Sequence, residues 1–443
     1  MPYGWEGKLL KVDLAAARIE IVESSPYFKF LGGRGLCARI AWEEIPPGID
    51  AYDAANRLVL ATGPLTGTLA PTAGGRFEVG TVGPQVYPKP RFTRSSCGGY
   101  WGAELKYAGF DAVVVYGQAE KPRYLWINDG KAELRDASKL WGLDTFTAQR
   151  LLKKWHGTNV ETVCIGPAGE NLVRISTIQS NTENAAGQGG FGAVMGSKKL
   201  KAITVSGTGA VEVADPERLI KVSSYVNNVQ KGQYEATWIF RQKRGDTLWW
   251  RSPDIPEPMS RTCTMSCTPL YCCANHVIYK DVPGHIVPTL YTGALQCVTP
   301  GWVRFSPWTA GFEAAMFTAM YGVNTWELSV GMRRVLRRWI QICQEKGLLK
   351  DESLDLTQFE KGEFWGRLIQ MIAYKRGIGE ILSEGLIRAA KIIGDEEPIT
   401  HVARGFASHW DGHLFGSPAY PYWLVSALQW ATDSRDPLVH GYA

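Results

Sequence analysis

The chain predicts an α+β fold, β-rich in its first half and mainly helical in its second, on three observations. Residues 1–208 carry a succession of short apolar β-type runs separated by glycine turns. From about Asp215 the apolar residues recur at helical spacing instead. Between the two lies "SGTGAVEVADPE", where glycine, proline and acidic residues cluster as they do at a domain joint. The expected units are therefore 1–208 and 215–443.

The first unit opens with "GKLLKVDL" and "RIEIVE", whose alternation reads as a hairpin. The runs "RLVLATG", "RFEVGTV", "DAVVVYG", "RYLWIND" and "KAITVSG" read as further strands, with short helices at "GLCARIAWEEI" and "AELKYAG". In the second unit, Met332, Val335, Leu336, Trp339, Ile340 and Cys343 recur at i, i+3, i+4 spacing and form one apolar helix stripe. Cys343 then reads as a small core residue. Phe364, Leu368 and Ile372 mark another helix, broken by "KRGIGE". "ILSEGLIRAAKIIG" reads as one more helix, ending at Gly394.

The 443 residues suffice for two or three domains, and a chain that is 45% hydrophobic and 21% charged is not a disordered one. The formal charge of +5 is spread along the sequence. Its densest basic run, Arg333 to Arg338, reads as a solvated helix face, with a docking patch for an acidic partner as the alternative. No nucleic-acid motif is visible. The N-terminus lacks a basic-then-apolar leader, and the apolar stretch Ala419 to Ala431 is too short and too Pro-marked to span a bilayer. A cytoplasmic chain without a membrane span is expected. In such a reducing compartment the nine cysteines are not expected to form a disulfide framework, and a tight group of them reads as metal-binding or catalytic.

Four segments are richer in glycine than packing requires: "LGGRGLCARI", "ATGPLTGTLAPTAGGRFEVGT", "SSCGGYWGAELKYAGFD" and "AAGQGGFGAVMGSKKLKAI". Glycine lets backbone approach a ligand closely, and amides at such turns grip phosphate. Gly187, Gly189 and Gly192 formally match a dinucleotide fingerprint, but polar "SNTENAA" precedes them where a strand is needed. A large phosphate-bearing ligand held by several loops fits four segments better than one.

"RTCTMSCTPLYCCANH" places Cys263, Cys267, Cys272 and Cys273 within eleven positions. Such spacing lets a loop wrap an iron–sulfur cluster, with Cys263, Cys267 and either Cys272 or Cys273 as three ligands and a fourth from elsewhere. A zinc site using His276 and a group of ordinary buried thiols are the alternatives.

Together these segments resemble the aldehyde ferredoxin oxidoreductase family of tungsten enzymes. The resemblance runs through "GGRG", "TGPLTGT", "GGR" before a strand, "GGYWGAELKYAGFD", "IGPAGEN", the "AAGQGGFGAVMGSKKLKAI" segment, the cysteine run, "GFE" opening a helix, and "RGIGEILSEG". It implies that residues 1–208 are a β-rich base cradling a bis-molybdopterin cofactor with tungsten or molybdenum, Mg bridging the pterin phosphates. Arg76, the loop Ser96, Cys97, Gly98 and Gly99, and the loop Asn184, Ala185, Ala186, Gly187, Gln188 and Gly189 match the family's pterin-contact segments. The cysteine run matches the segment binding a 4Fe–4S cluster, from which electrons leave toward ferredoxin or a ferredoxin-like subunit. Glu313 of "GFE" matches an acidic residue near the metal, a general acid/base in oxidising an aldehyde to a carboxylic acid; otherwise it is a carboxylate favoured at a helix N-terminus. An oligomer is implied as well.

Several features depart from the family pattern. Each cysteine gap is one residue longer than the usual C-x2-C-x3-C, and Asn184 and Gln188 stand where arginines are common. The chain reads as truncated at Ala443, short of the part that would bring a fourth cluster cysteine and a second pterin-contact motif. Cys297 in "PTLYTGALQC" resembles the region where the tungsten subunit of the ATP-independent benzoyl-CoA reductase supplies a thiolate to the metal, and a buried apolar thiol is its other reading. His409 and His413 read as proton donors in a substrate cavity, as metal ligands, or as locally hydrogen-bonded side chains. Three functions follow: aldehyde oxidation with ferredoxin, reduction of an aromatic acyl-CoA, or a non-catalytic electron-transfer partner holding only the cluster.

Overall fold

The structure is a computed structural model and describes residues 2–70, 74–180, 184–225, 277–280, 290–293, 308–349, 354–396 and 399. The predicted hairpin forms: β1 (Lys8–Asp13) and β2 (Arg18–Glu23) pair antiparallel from Lys8 against Glu23 to Asp13 against Arg18. α1 (Gly33–Glu44) follows, then β3 (Leu58–Thr62), β4 (Phe77–Gly83) and β5 (Arg91–Cys97). After α2 (Trp101–Tyr107), β6 (Ala112–Tyr116) returns between β1 and β3. The first sheet thus has the order β2-β1-β6-β3-β4-β5, and β5 is an edge strand.

A second six-stranded sheet comes from the next segment. Its strands are β7 (Arg123–Asn128), β8 (Lys131–Asp136), β9 (Glu161–Cys164), β10 (Ile178–Ser180), β11 (Asn184–Ala186) and β12 (Leu200–Ser206), in the order β11-β10-β9-β12-β7-β8. α3 (Thr145–His156), α4 (Pro167–Glu170) and α5 (Phe191–Ser197) are interleaved. α3 shows why such a sequence starts and stops a helix. The Asp144 carboxylate accepts the amides of Phe146 and Thr147, both at 2.9 Å, and Gly157 at φ +106° ends the helix beyond Lys153, Lys154 and His156.

One apolar core is shared by both sheets with α2 and α5. Leu10, Leu60 and Val79 of the first sheet join Leu125, Val163 and Ile203 of the second, together with Trp101 and Phe191. α1 covers the other face of the first sheet through Leu36, Cys37 and Ile40, and α3 packs on the second sheet through Ala148 and Leu152. Buried charge ties the chain start to this frame. The Asp111 carboxylate accepts Glu6 and Gly7 amides at 3.0 and 2.9 Å, the Ser24 hydroxyl at 2.5 Å and the Lys106 ammonium at 2.5 Å. Lys106 also donates to the Gly4 carbonyl, and the Lys106–Asp111 pair has no exposure to water.

A helix α6 covers 216–225, and β13 (Val277–Lys280) pairs antiparallel with β14 (Leu290–Gly293). α7 (Trp308–Tyr321), a π-helical stretch Glu327–Met332, α8 (Arg333–Glu345), α9 (Gly362–Ala373), α10 (Ile378–Leu382) and α11 (Leu386–Ile393) follow. The predicted stripe of α8 is inside: Leu336, Trp339, Ile340 and Cys343 are buried, while Arg337 and Arg338 are exposed and pair with Glu360 and Asp395. Phe364, Leu368 and Ile372 of α9 join that core. "KRGIGE" does break the chain after α9, with Lys375 and Gly377 at φ +52° and +50°. The expected single helix from Ile381 to Gly394 is corrected. Gly385 sits at φ +88°, a conformation outside the α region, and splits the stretch into the end of α10 and all of α11.

The helical core reaches into the first half, where Phe146, Ala168, Val173 and Ile175 pack with residues of α7 to α11. Backbone joins the two as well. Ser176 bridges Val323, the Thr177 amide donates to Gly322, and the Asn324 amide donates to Ile175.

Candidate functional site

β5 is where the predicted glycine loops meet. Its partner β4 places Glu78 opposite Ser96 and Phe77 opposite Cys97. Successive side chains of a strand point to opposite faces, so Ser96 and Cys97 separate. On one face the Arg76 Nε donates to the Ser96 hydroxyl at 2.9 Å, and Arg94 lies 3.6 Å from the Glu78 carboxylate. On the other, Cys97 packs with Phe77 and Trp101 in the apolar core. Burial pushes its thiol up to about 12, so what Cys97 offers a ligand is backbone. Gly98 and Gly99, the latter at φ +100°, then lead the chain toward α2.

The second loop reaches β5 through β11. Asn184, Ala185 and Ala186 pair antiparallel with Ser180, Gln179 and Ile178 of β10. The Gly187 amide then donates to the Ser95 hydroxyl at 3.2 Å, and the Gly189 amide donates to Gln85 Oε1 at 2.7 Å. Gln188 between them is buried. The expectation that no strand precedes "GQGGFG" is therefore corrected: β11 does, because "NAA" finds a partner in β10. That strand is antiparallel to its neighbour, so the parallel strand–turn–helix unit of a dinucleotide site is not formed.

Around this loop lie polar atoms without partners among the described residues. There Gln85 Nε2, Thr177 Oγ1, Ser180 Oγ and Asn324 Nδ2 are buried and make no hydrogen bond. A buried polar atom left so costs about 1–3 kcal/mol, and native structures hold few of them. Here they flank one loop. Gln85 holds Gly189, Ser180 pairs with Asn184, and Asn324 Nδ2 lies 3.9 Å from where a Cβ on Gly187 would stand. Among the described residues a Cβ on Gly187 would meet no closer neighbour than that amide, and such room beside unused donors and hydroxyls fits a polar ligand pressed against the backbone. Sequence reasoning singled out none of Gln85, Thr177, Ser180 and Asn324, which are isolated polar residues without a motif.

Glu313 falls within α7, and "GFE" does not open it. The helix begins at Trp308, which puts Glu313 in the second turn, and no acidic residue stands in the first. The helix-dipole reading is corrected accordingly, since that effect fades beyond the first turn. Cys263, Cys267, Cys272, Cys273, His276, Cys297, His409 and His413 lie outside the described residues. Among the described residues, no group of three or more His, Cys, Asp or Glu could hold a metal ion, and no helix is long and apolar enough to cross a membrane.

Residues 9–207 match the aldehyde ferredoxin oxidoreductase N-terminal domain, and residues 304–425 match domains 2 and 3 of the same family. A tungsten-containing aldehyde ferredoxin oxidoreductase of Thermococcus kodakarensis is 34% identical over 424 residues, covering 89% of this chain and 68% of the relative. Its counterpart of Pyrococcus abyssi is 45% identical over 434 residues, covering 88% of this chain and 67% of the relative. Among solved structures, the active-site complex BamBC of benzoyl-coenzyme A reductase, bound to 1,5-dienoyl-CoA, is similar with a TM-score of 0.74 and 27% identity, over 92% of this chain and 66% of that one. The chain thus spans about two thirds of the length of these proteins. Both sets of domains match in order, and this chain belongs to the aldehyde ferredoxin oxidoreductase family of oxidoreductases.

Proposed function

We propose that the chain oxidises aldehydes to carboxylic acids as a tungstopterin, iron–sulfur oxidoreductase, with residues 1–208 as the cofactor base and 215–443 as the helical part. The observation that carries this reading is the meeting at β5 of the Ser95–Gly99 and Asn184–Gly189 segments, beside buried polar atoms with no partner among the described residues. Relatives named as tungsten-containing aldehyde ferredoxin oxidoreductases support the chemistry. When bound, a tungsten–pterin centre would supply two-electron redox chemistry.

The residues of this chain take the following parts. Gly187 and Gly189 let backbone approach the pterins, and Asn324 Nδ2, Gln85 Nε2, Thr177 and Ser180 supply the hydrogen bonds. Arg76, oriented by Ser96, would supply positive charge to a pterin phosphate, and Mg would add to it. Cys263, Cys267 and one of Cys272 and Cys273 hold a 4Fe–4S cluster. Glu313 moves a proton during oxidation of the aldehyde hydrate, with His409 and His413 as donors in the cavity. Overall an aldehyde and water become a carboxylate, protons are released, and two electrons leave singly to ferredoxin or a ferredoxin-like subunit in an oligomer. The four described cysteines that are buried and unpaired (Cys37, Cys97, Cys164 and Cys343) suit a reducing, cytoplasmic location.

A second reading is favoured by the structural likeness to BamBC: a tungsten subunit reducing an aromatic acyl-CoA, with Cys297 as a thiolate on the metal. Cys297→Ser separates the two. An unchanged tungsten spectrum is expected for the aldehyde enzyme, and a changed one favours the second reading. The first test is elemental analysis of anaerobically purified protein. About four irons with one tungsten per chain, plus pterin, is the expected result. Zinc alone, or no metal, would overturn the proposal.

A further inference from the structure

The segment Pro84–Gln85–Val86, between β4 and β5, is held by two arginines from outside the first sheet. The Pro84 carbonyl accepts from Arg174 Nη1 at 3.2 Å, the Gln85 carbonyl from Arg388 Nη1 at 3.1 Å, and the Val86 carbonyl from Arg388 Nη2 at 2.9 Å. Three consecutive carbonyls thus lie against two guanidinium groups. Arg174 is fixed in turn by the Glu384 carboxylate at 2.6 Å, and its amide donates to the Ser383 carbonyl. Arg388 also lies over the Tyr87 ring, 5.4 Å from its centroid. A planar fork reaches two neighbouring carbonyls at once, which a lysine does not.

The same segment touches the glycine loop on its other side. Gln85 is 1% exposed, and its Oε1 accepts the Gly189 amide at 2.7 Å. A Cβ on Gly83 would stand 2.5 Å from the Gly189 carbonyl oxygen, and one on Gly190 would stand 2.7 Å from Pro84 Cγ and 2.3 Å from the Arg174 carbonyl oxygen. The two backbones are in contact and leave no room to slide. What remains of the Gln85 amide, its Nε2, is buried and has no partner among the described residues.

We infer that Pro84–Val86 is a strut between the helical half and the cofactor loop, that Arg388 is a positioning residue acting through it, and that Gln85 presents its free N–H to the bound pterin. This rests on the pterin reading of the loop given above. α11 then sets the place of Gly187–Gly189, and a shift of that helix moves the loop.

The test is peptide-level amide exchange, together with pterin release, on the anaerobically purified full chain. Arg388→Ala should speed exchange in 184–190 by about tenfold or more, the loss of charge-assisted hydrogen bonds, and speed pterin release in step. Exchange in 200–206 should stay as in the wild type. Arg388→Lys should recover only part of the effect. Gln85→Leu should reproduce it, and the double variant should be no worse than Gln85→Leu alone. Arg338→Ala, which breaks the surface pair with Asp395, is the control for plain destabilisation. Unchanged exchange in 184–190, an equal rise in every peptide, or additive effects in the double variant would overturn the strut. Loosened exchange with unchanged pterin release overturns its link to the cofactor. A wild-type chain without pterin refutes the functional reading and that link, while exchange in 184–190 still decides the strut.

Discussion

Two glycines three positions apart should fail in opposite ways when each becomes alanine. Gly187 lies outside the left-handed region, and among the described residues an added Cβ meets nothing closer than Asn324 Nδ2 at 3.9 Å. Gly187→Ala should therefore change stability by no more than about 0.5 kcal/mol. Its methyl group would occupy the space left beside the unpartnered amide and hydroxyls, so pterin content should fall. Gly190 sits at φ +76°, and its Cβ would stand 2.3 Å from the Arg174 carbonyl oxygen. Left-handed strain of about 1–3 kcal/mol and overpacking of a similar size add to roughly 2–6 kcal/mol. For domains of this size that is a melting point lowered by roughly 5–20 °C. The assay is thermal unfolding of cofactor-free protein, where no ligand adds its own stabilisation, set beside pterin content of the metal-loaded form. The reasoning fails if Gly187→Ala melts as early as Gly190→Ala, or if it folds normally and keeps its full complement of pterin.

Other outcomes follow from buried groups. Asp111→Asn leaves the Lys106 ammonium without its counter-charge and should cost about 3–5 kcal/mol in urea unfolding; a loss under about 1 kcal/mol would contradict the pair's role. Burial holds the Cys97 and Cys164 thiols up to about 12, so a maleimide at pH 8 should leave both unlabelled until the chain unfolds, as peptide mass mapping would show. Burial lowers the Lys198 ammonium from 10.5 to about 8. Between those values the unfolded chain binds more protons than the folded one, so stability rises with pH over that window. Relative to Lys198→Met the wild type should gain up to about 3 kcal/mol from pH 8 to 10.5, and a flat difference would refute the shift.

What the sequence revealed was whatever repeats with a period or accumulates in one place. The β1–β2 hairpin follows from alternation, and the stripe of α8 from apolar residues at i, i+3 and i+4. Glycine density located the loops around β5 because close backbone approach leaves a compositional trace. Three residues of strand, as in β11, leave none, and their pairing with β10 is decided by the fold. The break at Gly385 was hidden because "ILSEGLIRAAKIIG" keeps its helical period through the glycine. Asn324 and Gln85 were out of reach for a different reason. Each is an ordinary polar residue until the chain from far downstream, or the loop beside it, removes water from its side chain.

The short backbone bridge between Ser176 and Val323 also bears on how such a protein is born. A ribosome delivers the glycine loops first. The stretch Gly322–Asn324, which lies beside them, comes only after β13, β14 and α7 have emerged. Thr145 also waits, for the Ala319 carbonyl, 174 positions away. Until then the loops lack the neighbours that residues 322–324 supply. On the proposed reading, a bulky cofactor meets fewer neighbours in that interval than after the downstream backbone has docked beside Gly187.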